Sequence, residues 1–237
     1  ILQFGNGSLP FNVTATNKSG RWNVEMDLTR FTEGTQSATV IANDTLHNVN
    51  TTEIVYFTID RTAPLVTVIN PGSNSNFSSG IQAFNATVIE IFTRVDTVLF
   101  QFSNGTKPFN VTATNNSGNW NANLDLTRVV EGLQNMTVFA NDTLGNMNNT
   151  VLIHFTVDRT VPAVLNINPT SESNFSSGTR PFNASVTDTF TDISAVILQF
   201  GNGSLPFNVT ATNKSGIWNV DLNLTRLAEG KQTLTII

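Results

Sequence analysis

Short runs of alternating apolar and polar residues recur along the whole chain. In residues 109–114, Phe109, Val111 and Ala113 share one parity, and asparagine and threonine occupy the other. Such period-two alternation is typical of half-buried β-strands, and Val, Ile, Thr and Phe suit a pleated surface. No segment offers ten residues of helical periodicity. We therefore predict an all-β chain.

The middle of the chain shows this pattern most clearly. It predicts seven strands, at Leu65–Asn70, Phe84–Ile89, Thr97–Ser103, Phe109–Thr114, Trp120–Leu126, Asn135–Asn141 and Thr150–Asp158. Turn signals separate them, and an Asn-Gly pair between alternating runs favours a hairpin. Seven short strands within about 100 residues indicate an immunoglobulin-like β-sandwich.

The sequence repeats with a period of 98 residues, without insertion or deletion, and residues 1–20 return unchanged at 197–216. A linker of the form Asp-Arg-Thr-x-Pro separates the units, since proline cannot donate to a central ladder. We predict a partial domain at 1–62 that lacks its opening strands, a complete domain at 63–160, and a partial domain at 161–237 that lacks its closing strand. We interpret the chain as a segment of a longer protein.

Residues 140–162 read ANDTLGNMNNTVLIHFTVDRTVP. This stretch resembles the closing strands and linker of the tandem immunoglobulin-like repeats of bacterial and archaeal surface proteins, where A-x-D-x-x-G-N precedes T-V-x-F-T-V-D-x-T-x-P. The first unit departs from that pattern at His47, which stands where the pattern has glycine. The resemblance covers the whole chain. It implies a tandem array on the cell exterior, in a stalk, adhesin, surface layer or filament.

Charge is scarce in this chain. Charged residues make up 12% of it, the net charge is −5 and cysteine is absent, whereas a typical soluble domain has about 25% charged residues. The 32 Asn, 17 Ser and 34 Thr supply polarity instead. The 12 Lys and Arg are scattered, so no nucleic-acid partner is predicted. No apolar run reaches the length of a membrane span.

Asn-x-Ser/Thr triplets are far more frequent than chance, which would give roughly seven. The 19 sequons lie at Asn6, Asn12, Asn17, Asn43, Asn50, Asn76, Asn85, Asn104, Asn110, Asn115, Asn135, Asn141, Asn148, Asn174, Asn183, Asn202, Asn208, Asn213 and Asn223. The excess predicts dense N-glycosylation, which requires exposed asparagines and points to an archaeal surface. The alternative is that asparagine and threonine serve turns and strand edges. No cofactor is expected besides covalent N-linked glycans.

Catalytic chemistry is not indicated. His47 and His154 have no nucleophile or acid nearby in sequence, and no glycine-rich phosphate loop precedes a helix. We therefore predict no catalytic residue, no small-molecule substrate and no enzymatic activity.

Calcium at the junctions between units is a further possibility, because carboxylates could stiffen an array there. Asp60 and Asp158 lie at the junctions, and Asp188 and Asp192 form an acidic stretch. The counterparts of Asp188 and Asp192, 98 residues earlier, are Glu90 and Arg94. An arginine at that position would repel the ion, so no metal site is predicted.

Two further repeated features have structural interpretations. Trp22, Trp120 and Trp218 each follow a Ser-Gly-x turn and are expected in the core, with sugar stacking as the alternative. Arg30 and Glu33, like their copies in the other units, are expected to form a local ion pair worth under about 1 kcal/mol.

The closing strands carry apolar residues on both faces, among them Ile54 and Leu152, which suggests contact with a neighbouring domain or subunit. We therefore expect a structural protein of a heavily N-glycosylated extracellular filament, sheath or surface layer, assembled from copies of itself at the cell surface. The alternatives are the stalk of a cell-surface adhesin whose binding tip lies elsewhere, or an accessory segment of a secreted hydrolase.

Overall fold

The computed structural model describes residues 1–5, 10–103, 107–201 and 205–237. Contacts divide the chain into two compact units. One comprises Ile1–Ser73, Ile81–Arg128 and Asn135–Ile153, and the other comprises Asn74–Gly80, Val129–Gln134 and His154–Ile237. The domain boundaries near residues 62 and 160 stay predictions.

Strands account for nearly all regular structure, as the all-β prediction requires. The first 62 residues form β1 (Leu2–Gly5), β2 (Phe11–Val13), β3 (Thr16–Lys18), β4 (Arg21–Asn23), β5 (Gly34–Val40), β6 (Ala42–Asn43), β7 (Val49–Asn50) and β8 (Ile54–Ile59). The middle repeat forms β9 (Leu65–Asn70), β10 (Ser75–Phe77), β11 (Ile81–Ile89), β12 (Val95–Ser103), β13 (Pro108–Thr112), β14 (Thr114–Asn116), β15 (Asn119–Asp125), β16 (Gly132–Asp142) and β17 (Met147–Val157). The last repeat forms β18 (Ala163–Asn168), β19 (Thr179–Thr187), β20 (Ile197–Gly201), β21 (Phe207–Thr210), β22 (Thr212–Lys214), β23 (Ile217–Asn223) and β24 (Thr233–Ile236).

The helical segments are single 3₁₀ turns at Leu28–Arg30, Leu126–Arg128 and Leu224–Arg226. Each follows a residue that caps it. Asp27 accepts a hydrogen bond from the Thr29 amide at 2.9 Å, and Asn223 accepts one from the Thr225 amide at 3.1 Å. Such caps satisfy amides that the short helix leaves without partners.

The middle repeat has two sheets, with strand orders β10-β17-β16-β12-β13 and β14-β15-β11-β9. Strand β12 pairs antiparallel with β13 and β16, and β11 pairs antiparallel with β9 and β15. Strand β10 runs parallel to β17. Alternation places Phe84 of β11 and Phe102 of β12 in the core, with ring centroids 5.0 Å apart. Both side chains are fully buried, and burial of apolar surface is the dominant favourable contribution to folding.

One predicted strand is wrong in a way that matters for the sequons. The run Phe109–Thr114 is two strands, because β13 ends at Thr112 and β14 begins at Thr114 in the other sheet. Ala113, 5% exposed, lies at the crossing, and its amide donates to the Val98 carbonyl at 2.9 Å. A small side chain fits there because the chain passes close to the core as it changes sheets.

Candidate functional site

The first group of sequons lies on the outer edges of sheets. Asn12, Asn110 and Asn208 belong to β2, β13 and β21, each of which is the last strand of its sheet. All three side chains are exposed. In the later two copies the facing glutamine holds the asparagine, since Gln101 Nε2 donates to Asn110 Oδ1 at 3.1 Å and the copy repeats this at 3.0 Å. The amide oxygen is therefore the anchored atom, and the nitrogen is the atom to which a glycan would bond.

The second group of sequons lies on the strands that follow β2, β13 and β21 in the chain. Asn17, Asn115 and Asn213 are exposed on β3, β14 and β22, before a two-residue turn. In the middle copy both turn residues have positive φ, 52° at Ser117 and 85° at Gly118, as a type I′ hairpin turn requires. The Gly118 amide donates to Asn115 Oδ1 at 2.8 Å. Here again the asparagine oxygen holds the turn.

The remaining sequons are distributed over strands and turns. Of the 16 sequon asparagines that the structure describes, 12 are exposed, four are half-buried and none is buried. The half-buried ones are Asn85, Asn141, Asn148 and Asn183. The exposed ones, besides the six above, are Asn43, Asn50, Asn76, Asn135, Asn174 and Asn223. Asn6, Asn104 and Asn202, predicted at hairpin tips, lie outside the described residues.

In three sequons the asparagine side chain also stabilises a local turn within its own triplet. At Asn50, Asn148 and Asn223, the threonine two residues later donates both its amide and its hydroxyl to the asparagine Oδ1, at 2.9–3.1 Å. Local hydrogen bonds of this kind are a general use of asparagine and threonine. Turn chemistry and glycan attachment are therefore compatible at the same triplet, because they use different atoms of the amide.

The tryptophans do not share one environment. Trp120 and Trp218 are each 7% exposed and lie in the core, as expected, whereas Trp22 is 66% exposed. β15 pairs with both β14 and β11, but among the described residues β4 pairs only with β3. Trp22 therefore lacks the neighbouring strand that adjoins Trp120.

The linker between the first two repeats is held from both sides. Glu33 accepts hydrogen bonds from the Arg61 amide and, at 2.9 Å, from the Thr62 hydroxyl. The carboxylate of Asp60 accepts from the Thr62 amide at 3.0 Å and from the Thr93 hydroxyl at 2.8 Å. These bonds tie the linker to residues on both sides of it in sequence.

The second linker repeats the arrangement. Glu131 accepts from the Arg159 amide and from the Thr160 hydroxyl, and Asp158 accepts from the Thr191 hydroxyl at 2.6 Å. The local ion pair expected between Arg30 and Glu33 stays a prediction, and the structure shows further contacts of both residues. Glu33 binds the linker, and the Arg30 guanidinium lies 4.3 Å from the centroid of the Phe11 ring.

Three carboxylates meet beside the first linker, and the sequence analysis named only Asp60 of them as a junction residue. Oxygens of Asp60, Glu90 and Asp142 lie within 4.8 Å of one another, and among the residues that the structure describes these three form a group that could hold a cation. Asp142 already accepts from the amides of Leu144 and Asn146 and from Asn146 Nδ2, at 2.7–2.9 Å. Turn hydrogen bonds thus satisfy Asp142 without a cation. The signal was the 98-residue recurrence of aspartate at 60 and 158 and at 44 and 142.

The surroundings of Asp142 and of Glu33 favour the charged form of each of these two carboxylates. Burial raises the pKa of Asp142, but the hydrogen bonds from the side chain and backbone of Asn146 outweigh it, so that the pKa lies below its ordinary value. Hydrogen bonds from the Arg61 amide and the Thr62 hydroxyl lower the pKa of Glu33.

Two parts of the chain match models of known domain families. Residues 20–105 match the bacterial Ig-like domain (group 3), and residues 162–236 match the bacterial Ig domain. A search of curated proteins finds no match. None of the helices among the described residues is long and apolar enough to cross a membrane.

Solved structures provide distant likenesses. An engineered protein is 16% identical over 42% of this chain and 21% of its own, with a TM-score of 0.34. A tetra-tandem repeat in the extending region of a large adhesion protein is 17% identical over 99% of this chain and 61% of its own, with a TM-score of 0.36. A bacterial ice-binding adhesin is 17% identical over 99% of this chain and 83% of its own, with a TM-score of 0.39. This chain thus spans less than two thirds of the length of the engineered protein and of the tetra-tandem repeat. The fold assignment rests on the observed sheets and on the two family models.

Proposed function

Because the chain is a tandem array of bacterial-type immunoglobulin-like repeats, we propose that it is a structural segment of an extracellular filament, sheath or surface layer, and that N-linked glycans coat its exposed strands. One observation carries the proposal. None of the 16 described sequon asparagines is buried, although phenylalanines and valines of the same strands form the cores.

A glycan coat answers two physical needs of this molecule. Charged residues make up only 12% of the chain, so that carbohydrate would supply the hydration that charge supplies elsewhere. Unpaired strand edges also invite association with other chains. Sugars on Asn12, Asn110 and Asn208 would cover edges at β2, β13 and β21.

We propose a role without catalysis, and two depressions of the described surface are compatible with it. Two shallow depressions, of about 190 and 240 Å³, are lined by aliphatic residues or by threonine, asparagine and alanine. Their lining residues include no acid, base or nucleophilic cysteine, which acid–base or covalent chemistry requires.

Self-association is the proposed partnership. Strand β8 exposes Ile54 by 49%, Val55 by 59% and Tyr56 by 70%. Adjacent exposed apolar side chains commonly mark interaction sites. We assign this surface to contact between copies in the polymer or layer.

The test uses native cells. Antibody raised against the chain, followed by electron microscopy of intact cells and of shed material, is expected to label continuous filaments or sheets on the outside. Label restricted to isolated rods that end in a distinct domain would instead support the adhesin stalk. Label confined to the cell interior would overturn the proposal.

A further inference from the structure

The hairpin that joins β16 to β17 reaches the first linker through two asparagines. Asn146 Nδ2 donates to the backbone carbonyl of Asp60 at 3.2 Å, and Asn148 Nδ2 donates to that of Pro64 at 3.0 Å. The partners are 86 and 84 positions apart in sequence. Both asparagines are half-buried, so these bonds are shielded in part from competing water.

Asn148 is at the same time the asparagine of a sequon. In N-glycosylation, Nδ2 bonds to the anomeric carbon of a phosphate-linked sugar donor, the phosphate leaves with the bonding electrons, and the amide gives up one proton. The nitrogen must therefore be open to the donor. At Asn148 that nitrogen lies 3.0 Å from the Pro64 carbonyl oxygen, and a sugar bonded to it would need the space beside the linker.

Asn50 is the matched position in the first repeat. Its Oδ1 accepts from the amide and hydroxyl of Thr52, both at 2.9 Å, just as Asn148 Oδ1 accepts from Thr150. The two sequons thus share one turn. They differ in exposure, because Asn50 is exposed and Asn148 is half-buried against the linker.

We propose that Asn148 is a junction residue that stays unglycosylated while its amide holds the linker, and that a sugar on Asn148 releases that contact. Nδ2 keeps one hydrogen after glycosylation, but a sugar on it would occupy the space beside the linker, so the bulk of the sugar competes with the bond to Pro64. The modification state of this asparagine therefore decides how firmly the β16–β17 hairpin holds the linker. The inference rests on the proposed N-glycosylation and adds to it a site where the fold prevents the modification.

Two measurements test the proposal. Glycopeptide mass spectrometry on native material should find Asn50 occupied and Asn148 bare; sugar on Asn148 at the same occupancy as on Asn50 would overturn the proposal. Hydrogen exchange on the chain produced without glycosylation should show that Asn148→Ala speeds exchange of the amides of residues 61–67 by roughly two- to tenfold, and that Asn50→Ala does not. Unchanged exchange in Asn148→Ala also overturns it. If every sequon is bare, the proposed function fails, and the exchange experiment still decides the junction role.

Discussion

Glu33 and Thr62 are 29 positions apart, yet the Thr62 hydroxyl donates to Glu33 Oε2 at 2.9 Å. Together with the bond from the Arg61 amide to the other oxygen of the same carboxylate, it fixes the start of the linker against the turn that precedes β5. Glu131 makes the same pair of contacts with Arg159 and Thr160. A glutamate at the same phase of the repeat therefore grips each of the two linkers.

Acid should loosen this grip. Hydrogen bonds lower the pKa of Glu33, so the folded-state pKa lies below the unfolded-state pKa, and the stabilisation is fully present above the ordinary glutamate range of about 4.3. It is lost as the pH falls through the folded-state pKa. Between about pH 7 and pH 3, the thermal midpoint of Glu33→Gln should fall less than that of the parent chain. The exposed Glu25→Gln is the control, and a parental pH profile in Glu33→Gln would contradict the assignment.

The core of the middle repeat depends on Phe100, which is fully buried. Phe100→Ala removes a buried ring and leaves a cavity, which should lower the free energy of unfolding by about 3–5 kcal/mol. Leu133→Ala, at a side chain that is 69% exposed, should change it by less than about 0.5 kcal/mol. Denaturant titration followed by circular dichroism measures both variants, and equal effects would refute the packing described for β12.

Gly118 tests the turn that follows Asn115. A methyl group there would meet no atom within 4 Å, but φ is +85°. Gly118→Ala should therefore cost about 1–2 kcal/mol through backbone conformation alone. Gly72 has equal space and is not in the left-handed region, so Gly72→Ala should be close to neutral. Chemical denaturation of the two variants separates conformation from contact.

Trp22 should dominate the fluorescence that is accessible to solvent, because it is 66% exposed and the other two tryptophans are 7% exposed. Trp22→Phe should remove the red-shifted emission and most of the quenching by acrylamide. Trp120→Phe should leave both in place. Equal quenching in the two variants would show that the tryptophans share one environment.

Much of the fold was accessible from the sequence, since alternation is a local property. It located the seven main strands of the middle repeat, and the bounds of β9 match those predicted. It missed β14 because the alternation through Phe109, Val111 and Ala113 is unbroken, and a change of sheet leaves parity intact. It missed β10 because three residues in a serine- and asparagine-rich stretch read as a turn.

The junction was less accessible. Arg30 lies three positions before Glu33, and sequence proximity predicts an ion pair between them, but it says nothing of the contacts that Glu33 makes with the linker. The linker residues that bind Glu33 come 28 and 29 positions later, a distance over which the sequence pattern carries no pairing information. Only the parallel recurrence of Glu33 with Arg61 and of Glu131 with Arg159 hinted at it.

Glycopeptide mass spectrometry on native protein can measure the occupancy of each of the 19 sequons and so decide whether the chain carries a glycan coat. We expect sugar at most of the 12 exposed asparagines that the structure describes, with lower occupancy at the four half-buried ones. Bare asparagines at Asn12, Asn17 and their copies would contradict it. The repeated triplets would then serve only the turns and strand edges in which their side chains are seen.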